Sequence, residues 1–475
     1  MRKTLKIGVL HASLPHYFPD RYDVFEQCQA GLEAICEPLG AEIIVAPGRP
    51  MDARETRKAA EFCLSEGADF LLLIHGGFTM GDVAHTLATF PVPMGVWATP
   101  EPTLDGDVQL NNFVSLNMTA SIAKNVRDTQ KYPLQWYFGA PDSALTKARF
   151  TNTIRALSIR KAITGSRLAL VGGLAQTFYN MEVSADALKR RLGIDVEAFE
   201  IAELTGRMVA IEPSRVVSEL EKMTAAARVD GVSDDHMELN CRAALALRDL
   251  AADGEFQALA VSDWPALQQD PGIHPGAAFT WLEEVDKIPV ASEGDLLGAV
   301  TQLAALAMTG KVGYLLDMTE PDMSHGDLLM WHGGGGPLYL ANGDGARWIN
   351  HPMIGRETAA GPCFGAISDL VFKDGPVTAM RISDAATSLF SLEADVKGRT
   401  PSGYDGCRGW LTDFRFSQAP ATLDDVLSTV MGHGVEHHFV LVPQHHYPVL
   451  CEFAAWANLR PLPKIEARNF LASDN

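Results

Sequence analysis

Between Pro289 and Pro337 two short apolar runs each end in a carboxylate, Glu293 after IPVAS and Asp317 after VGYLL, and a third run, LLMW, ends in His332. Near the C-terminus, GHGVEHHFVLVPQHH supplies a cluster of histidines, with His437 and His438 opening an apolar stretch. Two carboxylates and one or two imidazoles form a hard-oxygen and nitrogen donor set. Such a set suits Mn²⁺ or a similar divalent ion with coordination positions left open. Carboxylates also move protons, so one site could hold a substrate and take a proton from it. Each residue has a plainer role as well. Glu293 suits the first turn of a helix through the dipole alone, Asp317 could close its strand in an Asx-type turn, and His332 could pack between Trp331 and the glycines. In GVEHHFVLV a period of two sends His437 and His438 to opposite faces, so at most one of them points at a common metal.

Positioning these residues is the work of strands and helices. Over residues 1–160, KIGVLHA, AEIIVAP, DFLLLIHGG and VPMGVWATPE alternate with helical patterns, which predicts a doubly wound parallel α/β domain. Its turn-like groups His75-Gly76-Gly77, Thr99-Pro100-Glu101 and Ser115-Leu116-Asn117 follow apolar runs, where open α/β sheets place ligands and where ordinary turns occur too. A second such domain, 161–308, opens on SRLALVGGLAQT and carries Glu293. Its Gly172-Gly173 turn lacks the G-x-G-x-x-G spacing, so no dinucleotide site follows. SEGDLLGAVTQLAALAMTG predicts a helix with Ser292 as N-cap, placing Glu293 in its first turn. From 309 to 475 strand-like runs come with few helices, predicting a β-rich, antiparallel barrel-like domain that carries Asp317, His332 and His438. A helix at 447–457 completes it, and the glycine-rich Trp331–Met353 segment suits mobile or ligand-approaching backbone.

Bulk properties narrow the function. A formal charge of −20 argues against a nucleic-acid binder, which needs a concentrated basic surface. No segment reaches the length of uncharged apolar chain that a membrane helix needs, and IGVLHA reads as a first strand and not as a signal-peptide core. Seven cysteines, dispersed and without a CxxC pair, fit reduced thiols in a cytoplasmic protein.

On ASEGDLLGAVT around Glu293, KVGYLLDMTE around Asp317, MWHGGGGP and the late EHHFVLV strand, the chain resembles the L-fucose isomerase and L-arabinose isomerase superfamily over most of its length. The resemblance implies that Glu293 and Asp317 bind a divalent metal, typically Mn²⁺ with Mg²⁺ or Co²⁺ as alternatives, and serve as the acid/base pair. His438 is the implied late ligand, with His437 its nearest competitor. His332 corresponds to a further metal-ligating histidine on the arabinose isomerase side, and Trp331, His332 and His437 are candidates to touch substrate. The implied activity is aldose–ketose isomerisation of a free pentose, hexose or deoxy sugar through an enediolate. No basic cluster of the kind a phosphosugar clamp needs stands near the motifs. The implied assembly is a homo-oligomer with sites at subunit interfaces, where His75–Phe78 and Trp97–Glu101 would line a neighbour's substrate. A metal-dependent epimerase or lyase would use the same chemistry, and a non-catalytic sugar-binding protein the same domains; two carboxylates converging on one metal favour an enzyme. HGGGGP departs from the more polar sequence expected after the histidine, and the chain is short for a fucose isomerase.

Overall fold

Runs such as FLLLIH and MGVWA are apolar at successive positions, which suits strands covered on both faces, and every residue of both is buried. They are the centre of a parallel sheet made by Lys6–Ala12 (β1), Glu42–Val45 (β2), Phe70–His75 (β3), Met94–Ala98 (β4) and Leu134–Phe138 (β5), in the order β2-β1-β3-β4-β5. The structure, a computed structural model, describes residues 4–128, 132–354 and 363–466. Its internal contacts divide the chain into two units, residues 1–161 with 451–458, and residues 162–450 with 459–475. Among the described residues no helix is long and apolar enough to cross a membrane.

In the first unit, His75 at the end of β3 is fully buried between two threonines, 2.9 Å from Thr79 Oγ1 and 3.2 Å from Thr119 Oγ1. Glu101 accepts the backbone N–H groups of Gln109, Leu110 and Asn111 at 3.3, 3.0 and 2.5 Å. Both groups brace loops at the carboxyl edge of the sheet. Ser115-Leu116-Asn117 is no turn: it lies in the helix Asn112–Val126, where Ser115 Oγ accepts the Thr79 N–H at 2.8 Å.

The second unit carries two sheets. Arg167–Val171 (β6) and Asp195–Phe199 (β7) join Ala258–Val261 (β9) and Val290–Ala291 (β10) in a parallel sheet of order β10-β9-β6-β7, while Arg228–Val229 (β8) pairs elsewhere. The remaining strands are Tyr314–Asp322 (β11), Asp327–His332 (β12), Ala341–Asn350 (β13), Gly365–Phe372 (β14), Gly375–Ser383 (β15), Ser388–Val396 (β16), Cys407–Phe416 (β17), Ala419–Pro420 (β18), His438–Pro443 (β19) and Arg460–Pro461 (β20). Six of them follow one another as β16-β15-β19-β11-β12-β17, all antiparallel, and β17 pairs back with β16. That closure makes a barrel and removes the exposed edges an open sheet would leave. Inward side chains such as Leu316, Met330, Phe390 and Phe439 fill it.

Parallel α/β sheets followed by a β-rich barrel are thus the fold class the sequence pattern predicts. Two local readings change. The Tyr447–Ala457 helix forms, but from Cys451 onward it belongs to the first unit, where Glu452 accepts the Thr153 hydroxyl at 2.6 Å and Trp456 meets Phe70 edge-on. Half of the glycine-rich Trp331–Met353 segment is regular, forming β13 against β14.

Candidate active site

Glu293 follows β10 at the carboxyl edge of the second parallel sheet. Its helix begins later than the sequence suggests. Ser292–Gly294 is a single tight turn, and Asp295, not Ser292, caps the helix Leu296–Thr309 by accepting the Gly298 N–H at 2.8 Å. Glu293 itself sits at φ 61°, ψ 12°, a left-handed conformation that disfavours a residue with a β-carbon. It is held there from both sides: its N–H donates to Asp263 Oδ1 at 2.7 Å, and its carbonyl accepts the Ala175 N–H at 2.9 Å. The Gly172-Gly173 turn after β6 thus packs its backbone against the Glu293 loop. Next to it Gly294, at φ 72°, has no room for a β-carbon against the Gly173 carbonyl.

Strand register supplies the partners. In the barrel Asp317 of β11 pairs directly with His438 of β19 on one side and with Trp331 of β12 on the other, and His332 ends β12. Directly opposed antiparallel residues share a face and lie close. His438 Nε2 is 3.8 Å from Asp317 Oδ1 and 3.4 Å from Glu293 Oε2. The His332 ring stands edge-on to His438 with centroids 5.3 Å apart. Potential ligand atoms of Asp317, His332 and His438 lie within 4.8 Å of one another, as do those of Glu293, His437 and His438.

His437 corrects the alternation argument. It precedes β19, so strand periodicity does not govern it, and its Nε2 reaches to 3.5 Å from Glu293 Oε2 while Asn180 donates to its Nδ1 at 3.1 Å. Trp331, also a candidate, lines the cavity with its indole N–H tied to the Asp405 carbonyl at 2.7 Å.

Three atoms are telling. Glu293 Oε2, Asp317 Oδ1 and His438 Nε2 are buried and without a hydrogen-bond partner in the structure. Buried polar atoms are almost always satisfied, so two carboxylate oxygens that each face the His438 Nε2 position, all three without a partner, fit a site for a cation. Asp295 makes the imidazole ready for one. It is fully buried, accepts from both terminal guanidinium nitrogens of Arg381 at 2.5 and 3.0 Å, and sits 3.0 Å from His438 Nδ1. Burial alone would raise Asp295, but the Arg381 charge and the His438 and Arg381 hydrogen bonds hold it far below the usual carboxylate range. Burial alone would lower His438; the Asp295 hydrogen bond and the charges of Asp317, Asp295 and Glu293 outweigh it and raise it. The same contest lowers Glu293, where the surrounding histidines, His437 at 3.5 Å first among them, prevail over burial.

A cavity of about 330 Å³ opens on these groups, within the usual range for small-molecule sites. Phe178, Trp264 and Trp331 form aromatic walls, and Trp264 Nε1 donates to Glu293 Oε1 at 3.4 Å. Asp263, His274 and His351 also line it. Burial, seconded by the Glu293 charge, pushes Asp263 up to about 7. Sequence reasoning missed Asp263, His274, Asp295, His351 and Arg381. Only Asp263 carries a signal of the kind that exposed Glu293, because it closes the apolar run FQALAVSD on β9, the parallel neighbour of β10.

Known proteins resemble this sequence. The chain is similar to sulfoquinovose isomerases. It is 24% identical over 361 residues to the sulfoquinovose isomerase of Priestia aryabhattai, covering 75% of this chain and 76% of that one. With the sulfoquinovose isomerase of Alkalicoccus urumqiensis it is 24% identical over 389 residues, 79% of this chain and 81% of the other. No family model matches. Among solved structures, an ABC transporter solute-binding protein from Agrobacterium vitis bound with alpha-D-tagatopyranose aligns at 15% identity over 65% of this chain and 90% of that one, with a TM-score of 0.17, too low to bear on fold or ligand.

Proposed function

We propose that the protein is an aldose–ketose isomerase of an unphosphorylated sugar, and that Glu293, Asp317 and His438 hold a divalent ion, Mn²⁺ or alternatively Mg²⁺ or Co²⁺. The approach of two buried, partnerless carboxylate oxygens to the equally partnerless His438 Nε2 carries the metal reading. Relatives named as sulfoquinovose isomerases, matched over three quarters of the chain, support the reaction class. The donor set of two carboxylate oxygens and one imidazole nitrogen fits a hard divalent cation that keeps positions for substrate.

When bound, the ion supplies Lewis-acid polarisation of the sugar's carbonyl end. The residues do the rest. Each carboxylate has one oxygen turned to the metal position and a second for proton transfer: Glu293 Oε1, steadied by the Trp264 N–H, and Asp317 Oδ2, on a side chain that keeps 28% of its exposure. One removes the proton from carbon and returns it to the neighbouring carbon; the other carries the hydroxyl proton. Phe178, Trp264 and Trp331 exclude water from the charge that develops during transfer. No Lys or Arg is among the described residues lining the cavity, in keeping with a substrate that lacks a phosphate.

Incubating the metal-loaded protein in D₂O with sulfoquinovose and a panel of pentoses, hexoses and deoxy sugars tests this reading by NMR. Ketose formation with deuterium at the carbon that receives the proton is expected. Deuterium uptake without ketose would make it an epimerase, and binding without either a non-catalytic receptor.

A further inference from the structure

The histidines around the cavity are sorted by what holds their second ring nitrogen. His332 Nδ1 accepts the Gly334 N–H at 2.8 Å. His274 Nδ1 accepts the Gly276 N–H at 3.3 Å, and His351 Nδ1 accepts the Met353 and Ile354 N–H groups at 3.1 and 2.9 Å. A backbone N–H has a fixed position and can only donate, so each of these Nδ1 atoms keeps its lone pair and the ring hydrogen sits on Nε2. Such an Nε2 can donate a hydrogen bond and has no lone pair for a metal. His438 is the reverse. Its Nδ1 faces Asp295, a carboxylate already paired to Arg381, so the hydrogen is on Nδ1 and the Nε2 lone pair points at Glu293 and Asp317.

The sequence around these rings serves the sorting. A β-carbon at Gly334 would come within 2.5 Å of His332 Nδ1, so glycine lets the backbone N–H approach the ring. The His274 and His351 rings lie 4.5 Å apart, tilted by 43°, both nearly fully buried and both on the cavity wall. Asp263 Oδ2 lies 3.7 Å from His274 Nε2, which sets an acceptor beside a donor. A hydroxyl group is the chemistry that uses both, accepting from one and donating to the other.

We propose that His332 and His274 are substrate-binding residues whose Nε2–H groups donate to oxygens of the bound sugar, and that His438 alone gives nitrogen to the metal. The ligand's identity as a sugar rests on the isomerase reading; the nitrogen count does not. The variants His332→Asn and His274→Asn retain an acceptor where Nδ1 stood and delete the Nε2 donor, and His332→Gln restores a donor at that reach.

With Mn²⁺ and ¹⁵N-histidine-labelled protein, pulsed EPR counts the coordinated imidazoles. One is expected in the wild type and in both Asn variants, and none in His438→Asn. Two in the wild type falling to one in His332→Asn overturns the ligand assignment. Equilibrium binding of linear alditols such as xylitol, ribitol and L-arabinitol to the Mn²⁺ protein, followed by tryptophan fluorescence, tests the donors. About ten-fold weaker binding is expected for each Asn variant, with recovery in His332→Gln and Mn²⁺ affinity unchanged. Unaltered alditol affinity in both Asn variants overturns the donor role. Neither readout needs turnover, so a protein that forms no ketose yet gives these results would defeat the isomerase reading and leave this one standing.

Discussion

Asp295 caps a helix, neutralises Arg381 and orients His438, all with two oxygens. Its loss separates these duties in a predictable way. Asp295→Asn keeps the shape, but the amide no longer compels His438 to hold its hydrogen on Nδ1, and Mn²⁺ affinity should fall 10- to 100-fold, as is usual when the partner behind a metal-bound histidine is removed. Arg381 retains Glu436 at 3.6 Å, so a stability loss of about 3 kcal/mol is expected, at the low end for a broken buried pair. Chelator competition and urea unfolding measure the two effects independently. Asp295 was invisible in the sequence because an acidic residue two places after Glu293 looks like ordinary first-turn chemistry. Arg381 was invisible because nothing in PVTAMRIS says that a charge points inward.

At the scale of elements, turns and register place the site. The apolar runs and the carboxylates at their ends were legible, since strand ends at a sheet's carboxyl edge are read directly from hydrophobic pattern. That β11 lies beside β19 was not, because 121 residues separate Asp317 from His438 in sequence and local pattern carries no pairing information. The conformation of Glu293 was hidden for the same reason: its left-handed backbone is imposed by Asp263 and by the Gly172–Ala175 loop, remote in sequence. The Ser292 capping signal was outcompeted by Asp295, whose side chain reaches the Gly298 N–H. Gly294 joins these pieces, and Gly294→Ala should cost about 2–3 kcal/mol, combining positive φ with a clash against the Gly173 carbonyl. Gly310→Ala, at φ 78° with open space around it, supplies the control at about 1 kcal/mol. Urea denaturation of the two variants should keep that order.

Across the whole molecule, alternating strands and helices giving way to strands alone announced the change from parallel sheets to barrel. The assignment of Cys451–Asn458 to the first unit was beyond reach, since an apolar helix pattern does not name the core it joins. A group outside the site also ties stability to pH. Glu219 is 6% exposed and accepts from Trp281 Nε1 and Arg248 at 2.7 Å each, with Lys222 at 3.0 Å. Burial would raise it, but these three donors prevail and lower it to about 2. A carboxyl whose folded value lies below its ordinary 4.5 stabilises fully above pH 4.5, and that contribution drains away as pH falls toward 2. Glu219→Gln should therefore unfold at lower temperature than the wild type at pH 7, and the gap should narrow steadily between pH 4.5 and about 2 when followed by calorimetry.

Adding Mn²⁺ in steps to metal-stripped protein while reading ketose formation from an accepted sugar tests the central claim most directly. Activity should be absent at the start, rise in proportion to metal, and level off at about one ion per chain, the number that one three-residue donor set can hold. Glu293→Gln, folded to the same extent, should stay inactive throughout. Full activity in the stripped protein, or a Glu293→Gln variant that climbs to the wild-type plateau, would contradict the account.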